Sequence, residues 1–540
     1  MTSSRPAPKR YPEGRQPYNY ELQCRLATVV KKAYNEYLCI SEHRIIGVKA
    51  LSQETPVKRY KLLDSTQKHF YRNVFTLALP IALQSLITIA VNMLDNVMVS
   101  HVNEESLSAS NLANSFISIY QIFCMGLGMG ASVLISRYYG MKSSNATLET
   151  EANDNIMADS PEDIRNDASR ALKQTVALML RLTLLLASVF AILTACIPGW
   201  IMKTYTDEEA IIELGTVYFR WSVITYFFQG VSLTSTIALR SVRQVKLPLF
   251  VSIGAFFVNV LSNYTFIFGN FGAPRMEIAG AALGTLIART FEATIIVGYL
   301  FLYDKEIHFR IKDMFINTRS LLGEYIRICI PVLISDGILA FGNNTVSMVI
   351  GHLGGEFVAA NAITGDTQRL STVLVQGVSQ AGAIVTSQTL GTGKKEQTMR
   401  QGHLFFGLGL YLGVVSAAFI TIFKEPIISC YSKVSPEAHK IAVQLMLAIS
   451  FIIIFQATNS IMTKGVLRGG GDTKMLMITD NIFLWVISIP LGLLAGYIFH
   501  WTPFWIYVCL KSDQIIKTFW SLLRLRSGKW INKISTGLKE

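Results

Sequence analysis

The chain has 540 residues, of which 51% are hydrophobic and 16% are charged, and its mean hydropathy is +0.38. Soluble domains carry about 25% charged residues, so this composition excludes an ordinary soluble enzyme or binding module. The net charge is +13, and residues 1–72 contribute +8 of it. A basic tail beside a membrane span marks the cytoplasmic side more often than it binds nucleic acid. The seven cysteines are scattered without CxxC pairs, which argues against a disulfide framework.

The first apolar segment covers residues 74–99 and contains one ionisable side chain, Asp95. A membrane span needs about 20 mostly apolar residues, so this segment can cross a bilayer with some tilt. An acid inside a span costs roughly 2.5–3.5 kcal/mol on insertion scales, which makes a functional role its default interpretation. The alternative is that Asp95 lies near the outer end of the helix and only contacts lipid headgroups.

Apolar segments of similar length recur along the rest of the chain. They predict twelve transmembrane helices in two sets of six, separated by a polar stretch at 304–320. The remaining segments lie at about 111–136, 171–199, 211–238, 247–269 and 278–303 in the first set, and at about 328–351, 361–390, 401–423, 441–463, 475–499 and 502–523 in the second.

Basic residues are concentrated in alternate short loops. The stretch at 464–474 carries Lys464 and Arg468, and the stretch at 239–248 carries Arg240, whereas several of the loops between such stretches carry no basic residue. Basic loops stay on the cytoplasmic side of a membrane, so this bias predicts that both termini are cytoplasmic.

The second half of the chain repeats the first. An offset of 251 residues places Pro80 on Pro331, and further along an offset of 228 places Arg240 on Arg468. The difference comes from an extra acidic stretch at 145–169 in the first half. With six spans each, both repeats enter the membrane from the same side and are related by an axis along its normal. Transporters with parallel repeats bind substrate at the repeat interface, although a scaffold or a channel can also be duplicated.

These observations predict an all-α integral membrane protein with twelve transmembrane helices in two parallel-repeat six-helix bundles. We expect no cofactor. The predicted parts are a basic cytoplasmic tail (1–72), an N-lobe (73–303) with an acidic cytoplasmic loop at 145–169, a cytoplasmic linker (304–323), a C-lobe (324–526) and a cytoplasmic C-terminal tail (527–540).

A specialised site is expected where the two repeats stop matching. Asp95 lies opposite Val346, and the fifth span contains Asn259 and Asn263, which share a helix face because they are four residues apart. Thr285 in the sixth span lies at a similar depth. One carboxylate, two amide oxygens and a hydroxyl suit a proton or a hard cation such as Na⁺. The alternative is that the asparagines and the threonine only hydrogen-bond helices together.

The chain resembles the multidrug and toxic compound extrusion (MATE) family of the MOP superfamily, in its bacterial DinF-like branch, from about residue 72 to 526. The resemblance is carried by LALPIALQ followed by NMLDNVMVS, by NVLSNYTFIFG with GAALGT, and by VIGHLGGEFVAANAI and KGVLRGGGDTK in the second half. It implies a twelve-helix exporter that exchanges Na⁺ or H⁺ for amphipathic, often cationic drugs. The N-lobe cation site of that family falls here on Asp95, Asn259, Asn263 and Thr285.

Two positions depart from other branches of the family. A seventh-helix glutamate of the NorM-like and eukaryotic branches is replaced here by Leu339, and a tenth-helix acid would fall near Ala457. A mechanism that needs a carboxylate at either position is therefore in doubt.

Several further polar residues are candidates for the substrate pathway. Asp336 in the seventh span faces a cationic substrate or bonds a neighbouring helix, and Asp366 lies three residues before Arg369, a spacing typical of internal pairing. We expect Asp480 to lie near the membrane interface. The candidate pathway residues are Gln84, Asp336, Asn344 and Asp366.

The sequence thus predicts a monomeric antiporter of the inner membrane that takes drug-like small molecules as substrates, is coupled to H⁺ or Na⁺, and binds no nucleic acid. One alternative is a flippase for a lipid-linked saccharide, which would need a cationic central cavity. Another is a membrane-embedded enzyme, but no paired-acid metal motif, HExxH or Ser/His arrangement lies within the spans.

Overall fold

The structure, a computed structural model, describes residues 56–143, 161–429 and 435–531, which are almost entirely helical. The chain before residue 56, most of the acidic stretch and the chain after residue 531 lie outside the described residues, so the predictions for these segments stay predictions. The chain from Phe70 onward forms one compact unit. The predicted N-lobe and C-lobe both lie within this unit, and the division between them stays a prediction.

The described part of the first half contains eight α-helices. A π-helical turn, Tyr299–Tyr303, extends the last of them, and two short 3₁₀ turns lie at Asn270–Gly272 and Ile311–Phe315. In chain order the helices are α1 (Pro56–Ser100), α2 (Glu104–Ser143), α3 (Pro161–Cys196), α4 (Pro198–Lys203), α5 (Glu209–Ser222), α6 (Thr225–Ser241), α7 (Lys246–Phe268) and α8 (Glu277–Gly298).

The described part of the second half contains nine α-helices and three π-helical segments. The π-helical segments are Ile461–Leu467, Phe483–Ser488 and Leu494–Ile498. The helices are α9 (Arg319–Gly351), α10 (Gly355–Ser371), α11 (Val373–Gly391), α12 (Lys395–Ser429), α13 (Pro436–Ser460), α14 (Thr473–Ile482), α15 (Ile489–Leu493), α16 (Pro503–Leu510) and α17 (Ser512–Ser527).

Nine helical segments of the described chain are long and apolar enough to cross a membrane, and α5 with α6 forms a tenth span bent by 58°. Two further helix pairs are each interrupted by one residue, α10 and α11 at Thr372 and α16 and α17 at Lys511. If each pair is one span, the total is twelve. The observed helices therefore agree with the predicted all-α membrane fold.

Equivalent hydrogen bonds in the two halves show the internal repeat in three dimensions. In the first half the Ser136 hydroxyl donates to the carbonyl of Ser241 at 3.2 Å, and in the second half the Ser387 hydroxyl donates to the carbonyl of Gly469 at 2.8 Å. These pairs are related by the two offsets found in the sequence. The same local packing is thus built twice, which confirms that the repeat is structural.

The buried apolar side chains follow the same division. One cluster, which includes Tyr120 and Phe190, comes from the first half alone, and another, which includes Leu445, comes from the second half alone. A third cluster joins the halves and includes Leu134 and Cys329. The two halves therefore have their own cores and meet through a shared one.

The halves contact each other most closely through two glycines that are related by the repeat. A side chain at Gly140 of α2 would overlap the carbonyl oxygen of Gln388, and a side chain at Gly391 of α11 would overlap the carbonyl oxygen of Arg137. The Gln388 amide also donates to the carbonyl of Ser241 at 2.8 Å. We call this junction the closed end of the bundle. Its close backbone approach is possible only without side chains at the two glycines.

Replacement of Gly391 by valine is expected to open the closed end, because the new side chain would need the space of the Arg137 carbonyl. Cys329 is 1% exposed where the second half packs against Gly130 of α2, so it reports separation of the halves. In a chain in which Cys329 is the sole cysteine, we expect Gly391→Val to raise the rate of maleimide labelling of Cys329 at least several-fold. Gly337→Val is the matched control, since nothing lies within 4 Å of a side-chain carbon added there. Equal labelling of both variants would contradict the interpretation.

Candidate functional site

Three of the four predicted cation-site residues are directly joined by hydrogen bonds. The Asn263 amide donates to Asp95 Oδ1 at 2.5 Å and lies 3.4 Å from Asn259 Oδ1. Asn259 and Asn263 are buried, at 2% and 0% exposed, because α7 turns this face toward the bundle interior. Asp95 on α1 is half-buried. A helix-to-helix link of this kind fixes the orientation of the carboxylate.

The arrangement leaves oxygen atoms available for a cation. Asn263 Oδ1 is buried and has no hydrogen-bond partner, and it occupies the space that the absent side chain of Gly284 on α8 leaves. A carboxylate accepts through two oxygens, and the Asn263 amide uses only Oδ1 of Asp95. The carboxylate of Asp95 and the unpartnered Oδ1 of Asn263 are therefore the candidate oxygens for a proton or a hard cation.

Thr285 joins this group through a tyrosine that the sequence did not single out. The Tyr218 hydroxyl on α5 lies 3.3 Å from Asn114 Oδ1 and is within hydrogen-bonding reach of Thr285. Tyr218 and Asn114 thus line the site beside the predicted residues. The sequence alone could not select Tyr218, because nothing local distinguishes it among the 21 tyrosines of the chain.

The side chain of Arg289 is a positive charge near the site, and it is paired with an acid on its own helix. Arg289, one turn after Thr285 on α8, acts electrostatically on Asp95. Its Nη1 donates to Glu292 Oε2 at 2.7 Å, which is the internal pair that the three-residue spacing predicts. Arg289 is therefore neutralised on its own helix and forms no ion pair with Asp95 in the structure.

Polar side chains are exposed on the parts of α1, α2, α9 and α10 that lie away from the closed end. Polar and charged groups are too costly to leave facing lipid, so we infer that these surfaces line a water-filled cleft between the halves. The exposed residues are Asn92, Asn96, Ser115, Ser118, Asn343, Asn344, Ser347, Asp366 and Arg369.

The four predicted pathway residues do not all lie in this cleft. Asn344 and Asp366 are exposed on its surface, and Asp366 lies 3.7 Å from Arg369. Asp336 forms an ion pair with Arg468 at 3.1 Å. Gln84 is buried at the closed end and donates to the Ser252 hydroxyl at 2.8 Å.

Three basic residues that the sequence assigned to loops lie on helices instead. Arg240 belongs to α6, Lys464 to a π-helical stretch, and Arg468 to the helical turn that follows it. The loop assignment was wrong because the apolar pattern ends before the helices do. Asp480 also differs from the expectation of an interfacial position, since it is 4% exposed and lies 3.4 Å from Lys517.

In the described residues, no group of three or more His, Cys, Asp and Glu side chains is arranged to hold a metal ion. The described donors around Asp95 are its one carboxylate and the neutral amide oxygens of Asn259 and Asn263. Such a donor set suits a weakly held, exchangeable monovalent cation or a proton rather than a resident divalent metal.

The chain is similar to proteins of known families. The MatE family model matches residues 80–150, 167–265 and 331–494. A relative from Thermotoga maritima, "Probable multidrug resistance protein NorM", is 24% identical over 463 residues, which cover 85% of this chain and 93% of the relative. The "Uncharacterized transporter YisQ" of Bacillus subtilis is 22% identical and covers 85% of this chain and 95% of the relative.

Solved structures share the fold at low sequence identity. A variant of the Vibrio cholerae MATE transporter VcmN superposes with a TM-score of 0.74 at 14% identity, covering 88% of this chain and 100% of that chain. A multidrug resistance MATE transporter of the MOP superfamily in an outward-facing conformation superposes with a TM-score of 0.72 at 17% identity, covering 85% and 96%. The family model covers more than half of the chain and includes both repeats, so this protein belongs to the MatE family of multi-pass membrane transporters.

Proposed function

We propose that this protein is a secondary active multidrug efflux antiporter that exchanges H⁺ or Na⁺ for amphipathic, often cationic small molecules. The observation that carries the proposal is the bond between Asp95 on α1 and Asn263 on α7, which places an ionisable group inside a membrane span next to unpartnered oxygens. The name of the Thermotoga relative, a probable multidrug resistance protein, supports the same activity. Family membership sets aside the membrane-embedded enzyme.

The proposed mechanism is alternating access of the two halves. Loading of Asp95 with a proton or Na⁺ removes the cost of an uncompensated carboxylate in a low dielectric, and this change biases the first-half helices toward another arrangement. The closed end, where Gly140 and Gly391 pack against the opposite half, would be the cytoplasmic end in an outward-open state. We propose that the protein is a monomer in the cytoplasmic (inner) membrane, with both termini on the cytoplasmic side.

The lipid-linked saccharide flippase is a second candidate because one observation favours it. Arg240 and Lys464 lie on helices at the closed end instead of in loops, so the bundle has more intramembrane basic residues than the sequence indicated. A cationic cavity suits the pyrophosphate of such a lipid.

Efflux of ethidium from cells that express the protein tests the antiporter. We expect faster efflux than from cells without it, and loss of that difference when the driving gradient is removed. Collapse of the pH gradient and omission of Na⁺ identify which ion drives export. Efflux that persists without either gradient would contradict an antiporter, and no efflux of ethidium or other amphipathic dyes would favour the flippase.

A further inference from the structure

Two arginines related by the repeat have different partners at the closed end. Arg468 is 4% exposed and pairs with the carboxylate of Asp336 at 3.1 Å. The repeat places Ser85 at the position of Asp336 in the first half, so Arg240 has no equivalent acid. An arginine that keeps its charge without a carboxylate is uncommon inside a membrane protein, where ionisable groups normally pair.

Arg240 bonds instead to two neutral side chains. Its Nη1 donates to Gln380 Oε1 of α11 at 2.8 Å, its Nη2 donates to Gln84 Oε1 of α1, and its Nε has no hydrogen-bond partner. The acid that acts on it electrostatically, Glu292, is already paired with Arg289. Amide oxygens orient the guanidinium but do not neutralise it.

Lys464 is a second basic side chain without an acid of its own. It is exposed, and within the described parts of the chain it forms no hydrogen bond or ion pair. It lies in the π-helical stretch Ile461–Leu467, a distortion that is frequent at functional sites. The repeat places Thr236 at this position in the first half, so the charge is specific to the second half.

The position of Lys464 follows from its neighbours. It lies four residues, about one helical turn, before Arg468, whose guanidinium pairs with Asp336, and Asp336 lies about one helical turn beyond Leu333. Leu333 packs against Gly126, where the two halves still touch. Lys464 therefore lies where the halves begin to separate, which is the floor of the cleft.

The charges that face the cleft do not cancel. Apart from half-buried Asp95, which lies more than two helical turns beyond Gln84 on α1, the exposed or half-exposed carboxylates of the cleft that the structure describes both have an arginine, Asp336 with Arg468 and Asp366 with Arg369. Lys464 and Arg240 remain uncompensated. A purely cationic molecule finds no free carboxylate at this floor, whereas an anionic group meets positive charge in a cleft whose low-dielectric walls strengthen the attraction.

We propose that the floor of the cleft binds an anionic group of the exported molecule, a carboxylate or a phosphate, with Lys464 as its principal contact and Arg240 as the second positive charge. The preferred substrates are then amphipathic zwitterions and anions, and a molecule with only a positive charge, such as ethidium, is still exported but binds more weakly. This inference rests on the proposed function only in taking the cleft as the transport path.

Binding of two matched dyes to the full-length protein in phosphatidylcholine nanodiscs tests the proposal. The dyes are a rhodamine with a free carboxylate and the ethyl ester of the same rhodamine, which lacks only the anionic group. We expect wild type to bind the free acid about tenfold more tightly, as a charge-assisted contact predicts. Lys464→Met should abolish the preference and Lys464→Arg should retain it. Lys395→Met, at the exposed start of α12, should leave it unchanged.

The outcomes separate this proposal from the transport function. Equal binding of the two dyes, tighter binding of the ester, no binding of either dye, or an unaltered preference in Lys464→Met would each overturn the anionic site. Efflux of the rhodamine ester at the same rate as the rhodamine acid would overturn the anionic site and would remain consistent with the antiporter. A preference for the acid without gradient-driven efflux would support the site and contradict the antiporter.

Discussion

Asp95→Asn is expected to stop gradient-driven export completely while the protein still folds and inserts. The asparagine oxygen can still accept the Asn263 amide that Asp95 Oδ1 accepts at 2.5 Å, so the link between α1 and α7 is retained. What is lost is the ability to bind and release a proton or Na⁺. Because an intramembrane acid costs roughly 2.5–3.5 kcal/mol on insertion scales, the neutral variant should be no less stable than wild type.

The measurement is ethidium efflux under an imposed gradient, together with the melting temperature of the purified protein. Asp366→Asn is the matched control, since it removes a carboxylate that is exposed and lies 3.7 Å from Arg369. We expect this control to keep most of its export, because its carboxylate lies outside the hydrogen-bonded group around Asp95 and already has Arg369 as a counter-charge. Full export by Asp95→Asn would rule out Asp95 as the coupling group. Equal losses in both variants would show that charge in the cleft, rather than the site at Asp95, limits export.

The fold could be predicted from the sequence because its two strongest signals are periodic and long. Apolar stretches of span length and a repeat with offsets of 251 and 228 residues depend on many positions, and a few misleading residues do not change them. Ser136 in the first half and Ser387 in the second half form equivalent hydrogen bonds, so the repeat extends to single hydrogen bonds. The ends of the helices were harder to predict, because a helix continues after the apolar pattern stops.

The site could be predicted only in part, because some of its contacts lie within one helix and others lie between helices. Asn259 and Asn263 share one helix face, so their proximity follows from helix geometry, and Asp95 stands out because an acid inside a span is rare. Tyr218 is brought to Thr285 by packing between α5 and α8, and no local pattern encodes that contact. Contacts within a helix can be deduced from spacing, whereas contacts between helices depend on packing of the whole bundle.

Lys517 is another residue whose contacts between helices could not be deduced from the spacing of the sequence. The four-residue spacing predicts its pair with Asp513, which lies at 3.0 Å, but it gives no indication of Asp480, whose carboxylate lies 3.4 Å away. All three side chains are between 2% and 6% exposed. One ammonium therefore holds two buried carboxylates that come from different helices, α14 and α17. Ser488 and Gln514 complete the group through hydrogen bonds to Asp513.

Lys517→Met is expected to lower the free energy of unfolding by about 3–5 kcal/mol, because it leaves two buried carboxylates without a counter-charge. The measurement is thermal or denaturant unfolding of the purified protein in one detergent, compared with wild type. Arg369→Met is the matched control, since it breaks an exposed pair of 3.7 Å and should cost no more than about 1 kcal/mol.

A second substitution separates the loss of charge from the loss of packing. In the triple variant Lys517→Met, Asp480→Asn and Asp513→Asn, no buried charge remains, so most of the lost stability should return. Recovery would show that Lys517 stabilises the second half by neutralising its two acids. A triple variant no more stable than Lys517→Met would show that the lysine acts through packing and hydrogen bonds, because removing the uncompensated charge would then have gained nothing.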